Sequence, residues 1–392
     1  MSGGAGIENA VVIGAGLAGS AVACGLAKAG LAPVMLERDP QPRHAVCGEF
    51  LSIEAQTELA RLGVDLDRYG ASRITALRLV HGKVVAEVDL PFMGRGLSRK
   101  ILDEVLRREA VRAGARLVRG APVRSLTVGP AGISIEAGHV GEIRARSLFL
   151  ASGKHDIRGA KRLTRGAKRS GGPARDDFIA FKTYFALTVP QRAALDGVVE
   201  IVLFGGGYAG LQLVEGDQAN LCLLVTRSRF DRAGRSWEPL LAGLCREAPP
   251  MAERLDGASA LLDRPVAVYQ IPYGFLHRPQ PSDAHGLFRL GDQVGVIPSL
   301  TGDGMAIALH SARLAASFYL TNRHASSAFH RQIRADIGLQ IRLACAVQTA
   351  SHWRGGQRAL VETCRVYPDL ARRLALWTRI PAAARERAEA SP

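Results

Sequence analysis

The segment that most restricts the fold of this chain is a glycine-rich turn near its N-terminus. Gly14, Gly16 and Gly19 follow the apolar run 10–13 and open a stretch rich in alanine and leucine. A strand, a G-x-G-x-x-G turn and a helix in this order are the fingerprint of a dinucleotide-binding βαβ unit. The first glycine permits the tight turn, the second lets the backbone approach a pyrophosphate, and the third lets the helix pack closely on the strand. The N-terminus of that helix then faces the phosphate charge.

An acidic residue completes this unit. Glu37 lies 18 residues after Gly19, at the end of the next apolar run, 33–37. A carboxylate at this place accepts hydrogen bonds from ribose hydroxyls and would repel a 2′-phosphate, so NADP is disfavoured here. This first motif does not choose between NAD and FAD.

A second glycine-rich segment lies near the other end of the chain. Gly291 and Asp292 follow an apolar run, and Pro298 leads into the sequence Thr-Gly-Asp-Gly-Met at 301–305. A helix is predicted to begin there, and its positive end would stabilise negative charge on a bound group.

The two segments together resemble the cofactor motifs of a flavoprotein superfamily that holds aromatic hydroxylases, flavin-dependent halogenases and geranylgeranyl reductases. In that superfamily the acid matched by Asp292 binds the ribityl or ribose part of FAD. The helix predicted to begin at Ser98 contains Arg99 and Leu102 and resembles the superfamily's Arg-x-x-Leu helix, whose arginine lies beside the pyrophosphate. The resemblance covers residues 8–320 and implies FAD as the cofactor.

Two details resemble the reductase branch. Cys47-Gly48 is similar to the Cys-Gly segment of geranylgeranyl reductases, which lies near the flavin. Residues 298–304 are similar to their Pro-x-x-Thr-Gly-Glu-Gly, with Asp303 in place of the glutamate. Residues 151–153 read Ala-Ser-Gly where aromatic hydroxylases carry Asp-Gly, which puts NADPH handling of their kind in doubt. The Trp-x-Trp-x-Ile-Pro signature of tryptophan halogenases is absent.

The motifs and the resemblance together predict a set of cofactor-binding residues. These are Gly14, Gly16, Gly19, Glu37, Arg38, Cys47, Gly48, Arg99, Asp292, Thr301, Gly302, Asp303, Gly304 and Met305. No group of residues has the spacing of metal ligands, so no metal site is expected.

Candidates for substrate chemistry lie in the region expected to form a second sheet and beside the Cys-Gly pair. Cys47, Tyr208 and Tyr273 are the candidate catalytic residues, and Tyr184 and His277 are further candidates. Tyrosines on sheets are more often packing residues, so that role stays open for them. The glycine-rich run 204–210 predicts either a hairpin turn or a close approach of backbone to substrate.

The charge of the chain is strongly positive and concentrated. The formal net charge is +15, and the run 154–175 contains eight Lys or Arg against one Asp, together with several glycines. This run predicts an exposed loop, with contact to an anionic substrate or a membrane surface as the functional alternative. It lacks the interleaved aromatic residues of single-stranded nucleic-acid sites, so no nucleic-acid partner is expected.

Composition places the chain among soluble proteins. Six cysteines occur without a CxxC pair, so a disulfide framework is not expected. The sequence contains no run of about 20 apolar residues, so no membrane-spanning helix is expected. The first nine residues lack the features of a signal peptide, and a cytoplasmic location is therefore expected.

We expect an α/β fold: a Rossmann-type FAD-binding domain with an inserted antiparallel-sheet substrate domain and C-terminal helices. The FAD-binding domain is predicted to comprise 1–72, 97–178 and 280–325, the substrate domain 73–96 and 179–279, and the C-terminal helices 326–392.

The expected function is that of an FAD-dependent oxidoreductase acting on a small, largely apolar phenolic, polyketide or isoprenoid molecule. Monooxygenase-type hydroxylation and reduction of a C=C double bond, as in geranylgeranyl reductases, both remain open. A non-enzymatic NAD-binding protein is disfavoured. Because the sequence has no second nucleotide fingerprint, NAD(P)H would bind transiently, or a partner reductase or ferredoxin would supply the electrons.

Overall fold

The computed structural model describes residues 7–129, 132–162, 178–280 and 285–390. The strands in these ranges, in chain order, are β1 (Glu8–Ile13), β2 (Val34–Leu36), β3 (Phe50–Leu51), β4 (Ser72–His81), β5 (Val84–Gly96), β6 (Arg116–Val118), β7 (Val123–Gly129), β8 (Gly132–Ala137), β9 (Gly141–Leu150), β10 (Phe178–Ala186), β11 (Gly197–Phe204), β12 (Gly207–Leu213), β13 (Gln218–Thr226), β14 (Ser259–Ala260), β15 (Val266–Tyr269) and β16 (Leu287–Arg289).

The α-helices of the described ranges follow the same order. They are α1 (Leu17–Lys28), α2 (Ile53–Arg61), α3 (Arg99–Arg112), α4 (Val189–Ala193), α5 (Arg227–Arg232), α6 (Trp237–Glu247), α7 (Pro249–Leu255), α8 (Gly304–Thr321), α9 (Ser326–His352), α10 (Arg354–Val366), α11 (Pro368–Trp377) and α12 (Ala382–Ala390).

The first sheet is built around parallel strands. Its order is β6-β2-β1-β9-β8-β7, and β16 also pairs with β9. β1 lies between β2 and β9 and runs parallel to both. The apolar runs of β1 and β9 are buried on both faces, as is typical of strands covered by helices on one side and by further chain on the other. This is the expected Rossmann-type arrangement.

The second sheet is mostly antiparallel. Its order is β14-β10-β13-β12-β11-β4-β5-β3, and β15 also pairs with β10. Its longer strands come from the two ranges predicted for the substrate domain. The exception is β3, which lies within the range 1–72 but pairs with β5. The α/β fold class is therefore confirmed, and β3 is the edge strand of the second sheet beside β5.

Helices cover the two sheets in different ways. On the first sheet α1 packs between α3 and α8, and α9 packs on α8. On the second sheet, one face is buried under α5, α6 and α7. The opposite face forms an apolar surface together with residues of α10 and α11, including Val361, Cys364 and Ala371. Within the described residues, none of the helices combines the length and apolarity that crossing a membrane requires.

The apolar pattern of the sequence predicts long helices over 229–262 and 357–378, and the structure divides both. The stretch 229–262 is predicted as a helix interrupted at Pro249-Pro250, but it contains parts of three helices and ends in β14. Gly234 and Arg235 both have positive φ and separate α5 from α6. The stretch 357–378 divides at Pro368, which begins α11. Proline lacks the amide proton that a continuous helix would need, yet it fits the first turn of a new helix.

Candidate functional site

One large cavity joins the two sheets. Its volume is about 870 Å³, and its lining runs from Gly14 and Glu37 on the first sheet to Ile201 and Tyr273 in the region of the second. Both glycine-rich segments border it. The structure therefore brings together the two motifs that the sequence separates.

The first glycine motif has the close backbone packing of a nucleotide cradle. Gly14 has φ +89°, and a Cβ there would lie 2.5 Å from the carbonyl oxygen of Ala151. A Cβ on Gly19 would lie 1.8 Å from the carbonyl oxygen of Gly14, so α1 can approach the turn only without a side chain. Gly16 borders the cavity, and the nearest atom to its Cβ would be Nη2 of Arg99 at 3.5 Å. A pyrophosphate would fit against this open backbone.

Glu37 lies at the end of β2 and is buried beside the cavity. Its carboxylate accepts hydrogen bonds from the amides of Ala15, at 2.8 Å, and Asp39, at 3.0 Å. The Arg107 guanidinium lies 3.7 Å from it. Glu37 thus fixes the glycine turn and also presents carboxylate oxygen to the cavity, where ribose hydroxyls would bind. Arg38 borders the same region.

Arg99 begins α3 and borders the cavity next to Gly16. Its guanidinium forms a paired contact with Asp103, at 2.7 and 2.9 Å. The predicted N-cap of this helix is present, since Ser98 Oγ accepts a hydrogen bond from the amide of Ile101. The cap sets where α3 begins, and so places Arg99 at the cavity.

The second glycine motif borders the same cavity. Asp292 faces Lys154, with its Oδ2 3.3 Å from Nζ. Thr301, Gly302, Gly304 and Met305 line the wall at the start of α8. Gly302 has φ +69°, which permits the turn into this helix. The positive end of α8 therefore lies where the sequence placed it.

Asp303 differs from its neighbours because its side chain is turned away from the cavity. It is fully buried and accepts hydrogen bonds from Ser52, Gln340 and the Arg379 guanidinium. Burial raises the pKa of its carboxyl to about 7, although Arg379 opposes this shift. Arg379 also donates to the carbonyl oxygen of Thr301 at 3.0 Å. Asp303 thus connects the motif to α9 and to the chain after α11.

The Cys47-Gly48 pair borders the cavity and is held from the second sheet. The side-chain amide of Asn220 donates to the carbonyl oxygens of Cys47, at 3.2 Å, and Gly48, at 2.8 Å. The amide of Glu49 donates to the Cys47 sulfur at 3.3 Å. Cys222 lies on the same cavity wall, and burial raises the pKa of its thiol to about 12.

A buried charged cluster fixes this segment further. Glu49 has φ +63°, an unusual conformation for a residue with a side chain. Its carboxylate accepts hydrogen bonds from Lys182 and Tyr184 of β10, and from the amide of Arg99. Lys182 and Glu49 are both completely buried. The cluster ties the 44–50 segment to both sheets.

Three hydroxyl groups meet where the second glycine motif reaches the substrate sheet. Tyr208 and Tyr273 both share a hydrogen bond with Ser299 Oγ, and the Tyr273 contact measures 2.6 Å. All three residues line the cavity. Burial raises the pKa of both phenols, so they stay protonated at neutral pH.

The rest of the cavity wall on this side is apolar. It is formed by side chains of the second sheet and of the C-terminal helices, among them Leu77, Leu79, Val199, Ile201, Leu203, Val268, Leu360, Ala371 and Leu374. The alternation of β11 places Val199, Ile201 and Leu203 on one face. Such a wall suits an apolar substrate and excludes water.

The two further candidates from the sequence, Tyr184 and His277, contact other protein side chains. Tyr184 belongs to the buried cluster, and His277 packs against His330; neither lines this cavity. The run 204–210 forms the predicted hairpin turn, while an approach of its backbone to substrate stays a prediction. Gly205 and Gly206 form the turn between β11 and β12, while Tyr208 and Gly210 border the cavity.

Among the residues that the sequence did not predict for this site are Glu49, Lys182, Ser299 and Arg379. A signal existed for Lys182, since a lysine inside the apolar run 178–186 must find a buried partner. Of the basic run 154–175, residues 163–175 lie outside the described part. Lys154 faces Asp292, and Arg162 is paired with Asp156.

Comparison with known proteins gives relatives of one broad class. No protein-family profile matches the chain. Menaquinone reductase of Mycolicibacterium smegmatis is 26% identical over 330 residues, covering 79% of this chain and 75% of that protein. Digeranylgeranylglycerophospholipid reductase 1 of Methanothermobacter thermautotrophicus is 27% identical, covering 78% and 75%. Menaquinone reductase of Mycobacterium tuberculosis is 31% identical over 160 residues, and this match spans only 39% of either protein.

Solved structures share the fold at low sequence identity. The flavin-dependent brominase Bmp2 superposes with a TM-score of 0.77 at 16% identity, covering 98% of both chains. The halogenase PltM in complex with phloroglucinol and FAD gives 0.71 at 14% identity, covering 97% of this chain and 90% of that one. Together with the cavity and its two glycine motifs, the reductase relatives identify the protein as an FAD-dependent oxidoreductase. The solved structures show that its fold is shared with flavin-dependent halogenases.

Proposed function

We propose that the protein is an FAD-dependent reductase that saturates a C=C double bond in a largely apolar, isoprenoid-like molecule. The sequence left hydroxylation and reduction open. Support for reduction comes from the relatives that match most of the chain, which are named as reductases. The Cys47-Gly48 pair and the 298–304 segment agree with them.

The observation that carries the proposal is the meeting of Tyr208, Tyr273 and Ser299. These hydroxyls lie where the apolar part of the cavity joins the second glycine motif. Saturating a double bond requires a hydride on one carbon and a proton on the other. A buried, protonated phenol is a suitable proton donor. Ser299 is placed to pass a proton between the two tyrosines.

The chain's residues divide the remaining tasks. Bound FAD, in its two-electron reduced form, supplies the hydride. The backbone at Gly14 and Gly16, together with Glu37 and Arg99, would hold and orient the cofactor. The apolar wall excludes water and aligns the substrate. NAD(P)H bound transiently, or an electron-donor protein, would return electrons to the flavin.

The test follows the reduced enzyme with a quinone carrying a prenyl chain. Flavin-loaded protein is reduced without oxygen and mixed with menaquinone in detergent, and the extracted product is re-oxidised in air before mass spectrometry. Re-oxidation restores the quinone ring, so a remaining mass gain of a pair of hydrogens reports a saturated side chain. A geranylgeranylated glycerophospholipid is tested in parallel.

A matched set of variants ties the outcome to the hydroxyl cluster. Tyr273→Phe and Tyr208→Phe should slow saturation by about 10²–10⁴-fold, the usual contribution of a general acid, while flavin content stays normal. Tyr319→Phe is the control, because its hydroxyl is bonded to the carbonyl oxygen of Asn9 on the first sheet. If neither prenyl substrate is saturated and the enzyme inserts oxygen into a phenol in air, the proposed reduction is wrong and the reaction is hydroxylation.

A further inference from the structure

The hairpin formed by α10 and α11, residues 354–377, has an unusual outer surface. Val366, Tyr367, Leu370, Leu376 and Trp377 are exposed by between 42% and 63% of their surface. Val366, Tyr367 and Leu370 lie at the turn between the helices, and Leu370 and Trp377 lie seven residues apart on α11. At this spacing they share one face of the helix. The hairpin thus presents an apolar stripe to its surroundings, with the exposed Arg373 on the same face of α11.

The inner surface of the same hairpin is a wall of the cavity. Leu360, Thr363 and Cys364 of α10 line it, as do Ala371 and Leu374 of α11. Because the lining residues and the exposed residues lie on the same two helices, only one helix separates the cavity from the outer stripe. An α-helix with its side chains is roughly 10 Å across. A molecule held against the outer surface would therefore lie close to the apolar half of the cavity.

The charge on the hairpin is positive. Residues 354–377 contain five arginines and two acidic residues. Both acids are paired with arginines of the hairpin, Glu362 with Arg365 and Asp369 with Arg372. Arg358 and Arg373 are exposed. Apolar, Tyr and Trp side chains bordered by arginines are typical of helices that lie in the interface of an anionic bilayer.

We propose that the outer face of the α10–α11 hairpin docks on the surface of a membrane containing anionic lipids. A second copy of the chain fits this face less well. A twofold dimer brings the same patch of each subunit together, so the arginines of one hairpin would face those of the other. The net charge of +15 acts in the same direction, since it opposes self-association and favours an anionic surface. This docking does not depend on the reaction proposed above.

The experiment measures binding to vesicles without turnover. Flavin-loaded protein is sedimented with vesicles of phosphatidylcholine alone and of phosphatidylcholine mixed with phosphatidylglycerol. We expect binding to the mixed vesicles that weakens as salt is added. The double variant Leu370→Ser/Trp377→Ser should lower the partition coefficient by at least about tenfold, because it removes apolar area from the stripe.

The control is a double variant with exposed apolar residues elsewhere. Val111 of α3 and Val189 of α4 are exposed by 46% and 68%. Val111→Ser/Val189→Ser should bind vesicles as the wild type does. Equal binding of both double variants would overturn the proposal, as would an absence of binding to mixed vesicles. Retained flavin absorbance shows in every case that the protein is folded.

Fluorescence distinguishes this face from other modes of association. Trp377 should move to a less polar environment on vesicles, giving a blue shift that Trp377→Phe abolishes. A blue shift that persists unchanged in this variant contradicts docking through the hairpin. Sedimentation velocity without lipid tests the alternative occupant. A dimer that the Leu370→Ser/Trp377→Ser variant dissociates would assign the face to a second copy and overturn the membrane proposal.

Discussion

Single residues in this protein hold segments that are distant in sequence, and the clearest case is Lys182. It is completely buried on β10 and reaches Glu49 and the carbonyl oxygen of Ala45. A buried charge without its partner is far less favourable than a buried pair. The ammonium group of Lys182 therefore helps Tyr184 and Asn220 to hold the segment beside the cavity.

Replacing Lys182 by methionine should destabilise the fold by about 3–5 kcal/mol, because Glu49 would keep a buried charge without its partner. Urea unfolding of the flavin-loaded protein measures this loss. Adding Glu49→Gln to Lys182→Met should recover part of it, since the neutral amide needs no counter-charge. A single variant as stable as the wild type would show that the pair does not hold the segment.

Glu37 is a second single residue whose role can be tested by substitution. Glu37→Leu removes the acceptor for the Ala15 and Asp39 amides and for ribose hydroxyls. Loss of a hydrogen bond to a charged group amounts to about 1.5–3 kcal/mol, so FAD affinity should fall by at least tenfold. Titration of apoprotein followed by flavin fluorescence measures it. Glu37→Gln keeps one acceptor oxygen and should lose less; equal affinity of Glu37→Leu and the wild type would refute the ribose role.

The Asp303 carboxyl makes stability depend on pH. Its pKa rises from 3.8 to about 7 on folding, chiefly through burial. The folded state then holds a proton that the unfolded chain has released, so the contribution of Asp303 to stability is fully present below pH 3.8 and is lost as the pH rises through about 7. Chemical unfolding across this range should show the decrease in the wild type and a smaller one in Asp303→Asn. Parallel pH profiles for the two proteins would contradict it.

At the scale of elements, α1 carries two glycines with opposite roles. Gly19 is in the first turn, where a Cβ would lie 1.8 Å from the carbonyl oxygen of Gly14. Gly25 is in the helix interior, and a Cβ there would meet only Ala316 at an ordinary 3.6 Å. Replacing each glycine by alanine therefore tests close packing at Gly19 and helix propensity at Gly25.

Gly19→Ala should force α1 away from the turn and lower both stability and flavin content. Gly25→Ala should raise the free energy of unfolding by about 0.5–1 kcal/mol, as alanine is the better helix former. Thermal unfolding and bound-flavin absorbance of the two variants give the comparison. Similar behaviour of both would mean that the helix can shift without affecting the turn.

Much of the fold could be predicted because the apolar runs and glycine turns are local signals. The strand, turn and helix around Gly14 and the N-cap at Ser98 follow from neighbouring residues alone. The Glu49–Lys182 pair and the contact of Arg379 with Asp303 could not, because no local pattern states which distant segments meet. Gly234 and Pro368 are residue types that can end a helix, but the apolar periodicity on both sides of each favoured longer helices.

In the whole molecule, the cavity has a cofactor region between the glycine motifs and an apolar region against the second sheet. The apolar region can therefore be altered without changing the residues of the cofactor region. Ala371 lines the cavity from α11. Ala371→Trp should fill part of it and raise the apparent KM for a prenyl substrate, with flavin content unchanged. Ala359→Trp is the control, because Ala359 is exposed on α10. With the substrate dispersed in detergent, equal KM values for the two variants would place the substrate elsewhere.

The contact of Arg379 with Asp303 and Thr301 has a consequence for biosynthesis. These bonds join the second glycine motif to a residue that lies 76 positions after Asp303 and 78 positions after Thr301. On the ribosome the first motif is finished early, but the second lacks its guanidinium until Arg379 has been synthesised. A chain terminated before Arg379 would therefore be left without the guanidinium that holds this motif.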